Sequence, residues 1–145
     1  MRFMIIRKAD AETEAGVMPG EGLVDAMMKY NAEMVDAGIM LAGDGLQPSS
    51  RGARVRFSGG RPMVTDGPFA EAKELVAGFS VIDVASLDEA VEWVKRWPQE
   101  DGHGEVEIEI RPLYEVDAFG DAFTARIREQ DERMRARAAE LHPPS

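Results

Sequence analysis

The spacing of apolar side chains changes period several times along the chain, and each change marks an element. Residues 2–7 are dominated by Phe3, Met4, Ile5 and Ile6 and read as a first strand, central and mostly buried. Residues 8–20 are polar, carry Pro19-Gly20 as a turn signal, and read as a loop. Over residues 21–37 the period becomes helical. Leu23, Val24, Met27, Met28, Met34 and Val35 recur at spacings of three and four, and Gly38 supplies a left-handed stop. Residues 39–42 are a short apolar run ending in Gly43-Asp44-Gly45. A glycine pair around an aspartate reads first as a turn, and otherwise as a bulge or a place where another group nears the backbone.

Residues 53–57 and 61–65 flank Ser58-Gly59-Gly60, a hairpin signal. Pro68 must end the second arm, and residues 70–74 suffice for about one helical turn, too short to stand without packing. Residues 75–84 are the longest strand candidate. Ser86, with Glu89 three residues on, forms a capping box that opens a second helix. Leu87, Ala90, Val91 and Val94 make its inner face, Trp93 and Trp97 flank it, and Pro98 stops it. In residues 105–110, Val106, Ile108 and Ile110 alternate strictly with Glu105, Glu107 and Glu109, the pattern of a half-buried strand.

The order is a βαββαβ frame with an inserted hairpin, an α+β arrangement. Two helices on one face leave the other face of the sheet to be covered, and the same face of a second copy would do so, giving a homodimer. Residues 116–145 lie beyond the frame, so the expected division is 1–115 and 116–145. Phe119, Phe123, Ile127, Met134, Ala138 and Leu141 mark a C-terminal helical stripe over residues 116–141. Five arginines there (126, 128, 133, 135 and 137) alternate with acids, the mark of a solvated helix face rather than a nucleic-acid surface. Residues 142–145 are expected to fray.

Composition narrows the chemistry. The chain has 145 residues, 44% apolar and 30% charged, which suits one globular core. It has no cysteine and two histidines, so thiolate nucleophiles and Cys-ligated metals are excluded, and a His-rich metal site needs a second subunit. The net charge of −10 disfavours binding to a phosphate backbone. No stretch approaches the roughly 18 apolar residues of a membrane span, and the first residues do not read as a signal peptide, so the expected compartment is the cytoplasm.

Turn chemistry and charge are densest in residues 65–74. Acid–base work falls to carboxylates, Lys and Tyr. Asp66 ends a strand where a side chain can face a pocket and is the candidate base; its structural alternative is to bond the amides of its own turn. Phe69 either walls a pocket or anchors the turn. Glu71, Lys73 and Glu74 could bind a polar ligand. Tyr30, at the edge of the first helix's stripe, could send its hydroxyl to a cavity or simply be amphipathic. Arg111 could hold a carboxylate or neutralise Glu107 or Glu109. Carboxylates could take a divalent metal, but with no recognisable spacing. His103 lies in a turn-like, solvated loop.

Residues 64–74, Val-Thr-Asp-Gly-Pro-Phe-Ala-Glu-Ala-Lys-Glu, followed by Gly78-Phe79, resemble the YCII-related family, and more narrowly its branch named for the Asp-Gly-Pro-Phe (DGPF) motif. The likeness runs from Met1 to about Tyr114. It takes in Gly43-Asp44-Gly45-Leu46-Gln47-Pro48, Ala90-Val91-Glu92-Trp93 and Glu107-Ile108-Glu109-Ile110-Arg111-Pro112. The resemblance implies a ferredoxin-like subunit that dimerises into an α+β barrel. It implies relatives of the same fold that are isomerases, monooxygenases and dehalogenating enzymes of small molecules, and for this branch a link to extracytoplasmic-function sigma factors. Two readings follow: a dimeric small-molecule enzyme with a cofactor-free acid–base site around Asp66, or a binding or regulatory module. A catalytic His–Asp pair proposed for the wider family would match only Asp66, because the helix over residues 23–37 has no His.

Overall fold

The structure, a computed structural model, describes residues 1–143. Strand β1 (Arg2–Lys8) leads into a one-turn helix α1 (Ala11–Glu14) and helix α2 (Glu21–Asp36). Strand β2 (Met40–Gly45) and the hairpin strands β3 (Ala53–Ser58) and β4 (Arg61–Asp66) follow. Then come β5 (Val76–Asp83), α3 (Leu87–Val94), β6 (Ile108–Pro112) and α4 (Ala125–Leu141). One sheet has the order β2-β5-β1-β6 with every neighbour antiparallel, and β3-β4 form a separate two-stranded sheet. This is the βαββαβ frame with its inserted hairpin.

Residues 1–113 form one compact unit. Because successive strand side chains alternate faces, Phe3 and Ile5 of β1 and Ile82 of β5 point to the helical side. There they meet Tyr30 and Met34 of α2 and Ala90 of α3 in a buried core, with Met27, Trp93, Trp97 and Ile110 packed around it. Met4, Ile6, Phe79 and Val81 point to the other side and are half-buried. The third helix-facing residue of β1 is Arg7, 7% exposed. Its Nε and Nη2 donate to the two oxygens of Asp101 at 3.1 and 2.8 Å, and its Nη1 donates to Asp10 at 3.1 Å and to the Lys8 carbonyl at 2.7 Å. Trp97 Nε1 adds a bond to Asp101 at 2.9 Å.

Four expectations are corrected. The loop over residues 8–20 contains α1, because Asp10 and Thr13 cap each other reciprocally at 2.9 and 2.8 Å. Gly43-Asp44-Gly45 is not a turn but the end of β2, which bulges between Met40 and Ala42. A Cβ at Gly43 would stand 2.7 Å from Met40 Cε and 3.2 Å from Ser80 Cβ, so close approach is what the glycine serves. Helix α3 ends at Val94, ahead of Pro98, because the N–H groups of Arg96 and Trp97 reach back only three residues, to Trp93 and Val94. Strand β6 begins at Ile108 rather than at residue 105. Its partner β1 ends at Lys8, whose N–H bonds the Glu107 carbonyl, and residues 105–107 have no further strand to pair with.

The hairpin turns on Gly59 and Gly60, both at positive φ, as a two-residue connection requires. Its two faces differ. Val55, Phe57, Pro62 and Val64 share one, and Arg54, Arg56, Arg61 and Met63 share the other.

The described part of residues 114–145 is a second compact unit. The helix expected over 116–141 begins only at Ala125, where Thr124 caps it; before it runs a 3₁₀ segment, Val116–Ala122, broken by Gly120 at φ 57°. Phe119 and Phe123 therefore leave the helical stripe and line up with Tyr114, ring centroids 5.4 and 5.6 Å apart. Three arginines of α4 pair along the helix, Arg133 with Glu129 at 3.9 Å, Arg135 with Asp131 at 2.9 Å and Arg137 with Glu140 at 3.2 Å. Pro144 and Ser145, part of the expected frayed end, lie outside the described residues.

Candidate functional site

Three segments far apart in sequence meet beside the Asp-Gly-Pro-Phe turn. The first is the end of α1, carrying Glu14. The second is the loop after β2, where Ser49–Arg51 make a 3₁₀ turn. The third is the turn that leaves β4. Gly67 donates its N–H to the Gly52 carbonyl at 3.0 Å, and a Cβ on Gly67 would fall 1.7 Å from the Ser49 carbonyl oxygen. Only glycine fits there. The Gly67–Pro68 peptide is cis, and Phe69 follows it.

Ser49 is the knot. Its N–H donates to Glu14 Oε1 at 3.0 Å and its hydroxyl donates to Glu14 Oε2. The same hydroxyl oxygen accepts the Phe69 N–H at 3.0 Å. The charged acceptor makes the two bonds to Glu14 stronger than neutral ones. Around the knot lies a cleft of about 530 Å³ walled by Leu46, Pro48, Phe69, Leu75 and Val76, with Glu14, Gln47, Ser49 and Arg51 as its polar side chains. The Arg54 guanidinium lies over the Phe69 ring, 3.9 Å from its centroid. The lining thus sets five apolar side chains beside four polar ones.

Of the residues read from sequence, the structure brings Phe69 into this lining and leaves the others outside it. Asp66 is exposed, one residue from Gly67, and its carboxylate makes no hydrogen bond or ion pair among the described residues; it does not bond the amides of its own turn. Glu71 is exposed at a left-handed φ of 64°. Lys73 is exposed and pairs with neither Asp66 nor Glu74. Tyr30 is in the core: its hydroxyl donates to the Trp93 carbonyl at 2.7 Å and its ring meets Trp97 edge-on. Burial pushes its pKa up to about 12. Arg111, exposed and opposite Met4 on the non-helical face, pairs with half-buried Glu109 at 3.3 Å. His103 is exposed with its Nε2 3.1 Å from Glu12.

Glu14 and Ser49 were invisible to sequence reasoning. Glu14 falls in a stretch read as loop, and its partner is 35 positions away. The same holds for Arg7 and Asp101. Burial alone would raise the Asp101 carboxyl, but hydrogen bonds from Arg7 and Trp97 outweigh it and hold the group below the ordinary carboxylate value. A second cavity of about 380 Å³ lies beside this pair, between α3 and β6, lined by Val91, Trp97, Pro98, Val106 and Ile108 among others. The Asp101 oxygens that border it are already bound. Among the described residues no cluster of three or more His, Asp or Glu is placed to hold a metal, and no helix is long and apolar enough to cross a membrane.

A family model described as the YCII-related domain matches residues 1–114. A stretch of 50 residues is 50% identical to an uncharacterised protein of Rhizobium meliloti (strain 1021), covering 34% of this chain and 40% of that protein. In that match the chain spans less than half the relative's length. Among solved structures, the 5-chloro-2-hydroxyhydroquinone dehydrochlorinase of Burkholderia phenoliruptrix AC1100, in complex with 2,5-dihydroxybenzoquinone, superposes with a TM-score of 0.41 at 15% identity. The superposition covers 79% of this chain and 96% of that one.

Proposed function

The chain belongs to the YCII-related family, and from that premise we propose that it binds a small molecule in the cleft at Glu14, Ser49 and Phe69. The observation that carries this is the Glu14–Ser49–Phe69 network, which ties three distant segments into one wall of a cleft with both apolar and polar side chains. Asp66 stands beside that wall with a free carboxylate and is the group for acid–base work on a bound molecule. The half-buried side of the sheet, with Met4, Ile6, Phe79 and Val81, meets the same side of a second copy, which makes the working unit a homodimer.

The test of binding is amide NMR of the protein titrated with a library of small organic probes. The expected result is that hits shift the amides of Ser49, Gly52 and Phe69. Hits that shift only other regions, or none at all, would overturn the assignment. For a hit that is turned over, Asp66→Asn should lower turnover while those amide shifts persist. Native mass spectrometry tests the pairing: a dimer that Phe79→Glu converts to monomer supports it, and a monomeric parent protein refutes it.

A further inference from the structure

We propose that the molecule this cleft takes is a carboxylate on an apolar body, with Arg51 as the group that holds the charge. This rests on the reading of the cleft as a small-molecule site and names what enters it.

The argument is one of elimination among the polar groups of the lining. The Ser49 hydroxyl has one proton, and Glu14 takes it; its oxygen receives the Phe69 N–H. Each Glu14 oxygen accepts a bond from Ser49, and an ionised carboxylate has no proton to give an anion. The Gly52 N–H is bound to the Ser49 carbonyl at 2.9 Å. That leaves Gln47 and Arg51, whose side chains make no hydrogen bond or ion pair among the described residues. A planar guanidinium with unused donors at the edge of a cleft with several apolar walls matches the two oxygens of a carboxylate. The walls of Leu46, Pro48, Phe69 and Leu75 match an apolar body and offer little to a free inorganic anion.

A second observation points the same way. Residues 49–65 contain Arg51, Arg54, Arg56 and Arg61 and no acidic residue, in a chain whose net charge is −10. The hairpin register puts Arg54, Arg56 and Arg61 on one face, and Arg54 of that face stacks on the cleft-wall ring of Phe69. A row of like charges leading to a low-dielectric wall concentrates anions at its mouth. None of these four arginines is in an ion pair among the described residues.

The experiment uses benzoate as probe and benzamide as its neutral isostere, with affinities read from amide shifts at Ser49, Gly52 and Phe69. Benzoate should bind at least ten times more tightly than benzamide. Arg51→Met, which keeps an apolar stem at an exposed position, should remove that advantage and leave benzamide where it was. Added salt should weaken benzoate only. Equal binding of the two probes, or benzoate binding that survives Arg51→Met, would overturn the carboxylate assignment while leaving the cleft as a site. Absence of shifts at these amides with every probe, the neutral ones included, would bring down the cleft reading itself.

Discussion

Removing Asp101 should cost residues 1–113 a large part of their stability. Asp101 is 8% exposed and Arg7 7%. The Asp101→Ala change strips the guanidinium of two charge-assisted bonds, at 3.1 and 2.8 Å, and leaves the Trp97 N–H without its acceptor. Breaking one side of a buried pair costs about 3–5 kcal/mol, because the survivor stays charged and out of water. Arg7 keeps Asp10 and the Lys8 carbonyl, which offsets part of that, while the orphaned indole adds about 1–3 kcal/mol. A loss near the pair's own range is therefore expected, against a total of roughly 5–15 kcal/mol for an ordinary domain. Urea unfolding followed by tryptophan fluorescence is the assay, since Trp93 and Trp97 both lie in this unit. Replacing both partners, as Arg7→Met with Asp101→Leu, should recover much of the loss. The pair also sets an acid limit. Asp101 and Asp10 are both held below their ordinary values, burial being outweighed at Asp101 by hydrogen bonds from Arg7 and Trp97 and at Asp10 by those from the Thr13 N–H and Arg7. At falling pH the unfolded chain takes up protons first, near the free carboxylate pKa of about 3.9. The stabilisation is therefore whole above that pH and is lost as pH drops through the folded values. Asp101→Asn should flatten that acid limb. A loss below about 1 kcal/mol in Asp101→Ala, the size expected of an exposed pair, would refute the reasoning.

Tyr30, its pKa raised to about 12 by burial, should make stability fall as pH climbs from about 10, where the unfolded chain ionises first; Tyr30→Phe should abolish this alkaline limb and cost about 0.5–1.5 kcal/mol for the lost bond to Trp93. A spectrophotometric titration in which both tyrosines ionise below about 11 would count against it. Gly67→Ala drives a methyl group into the Ser49 carbonyl, so it should destabilise by about 1–3 kcal/mol or more and displace the Ser49, Gly52 and Phe69 amide signals; a spectrum unchanged from that of the parent protein would contradict the approach of 1.7 Å that a Cβ there would make. Ser49→Ala removes the acceptor of the Phe69 N–H and the donor to Glu14, about 1–3 kcal/mol, and should speed hydrogen exchange at Phe69 while core amides such as Ile5 and Ile82 keep their protection. Unchanged exchange at Phe69 would remove Ser49 from its place as the knot.

What the sequence made legible was whatever repeats. The strand around Phe3 and Ile5 announces itself as an unbroken apolar run, the stripe of Met27 and Met34 by its helical spacing, and Ile108 and Ile110 by alternation with glutamates. The Asp-Gly-Pro-Phe turn was legible for another reason, since Gly67 and Pro68 are residue types that turns demand. Single contacts between distant residues leave no such trace. Nothing in the spacing of Glu14 or Ser49 marks them as partners, and Arg7 looks like the polar end of a strand until Asp101 arrives 94 positions later. Asp66 and Tyr30 are the reverse case. Each stands out by its own chemistry, but only the structure shows that Asp66 lies next to the cleft lining rather than in it, and that the hydroxyl of Tyr30 is taken by the Trp93 carbonyl.

The four residues of α1 connect these unread contacts. A single helical turn is too short to persist alone, so α1 exists through what it is tied to. Asp10 caps it and pairs with Arg7. Glu12 faces His103. Glu14 ends it and holds Ser49. Three acids on one turn repel each other, and each is offset by a different part of the unit: the buried ion pair, the turn over residues 101–104, and the cleft. The wall of the cleft is thus anchored through α1 to the charge pair in the core. For the same reason Asp10→Ala, at a residue that does not line the cleft, should speed amide hydrogen exchange at Ser49 through the helix whose start Asp10 fixes, and unchanged exchange there would break that link.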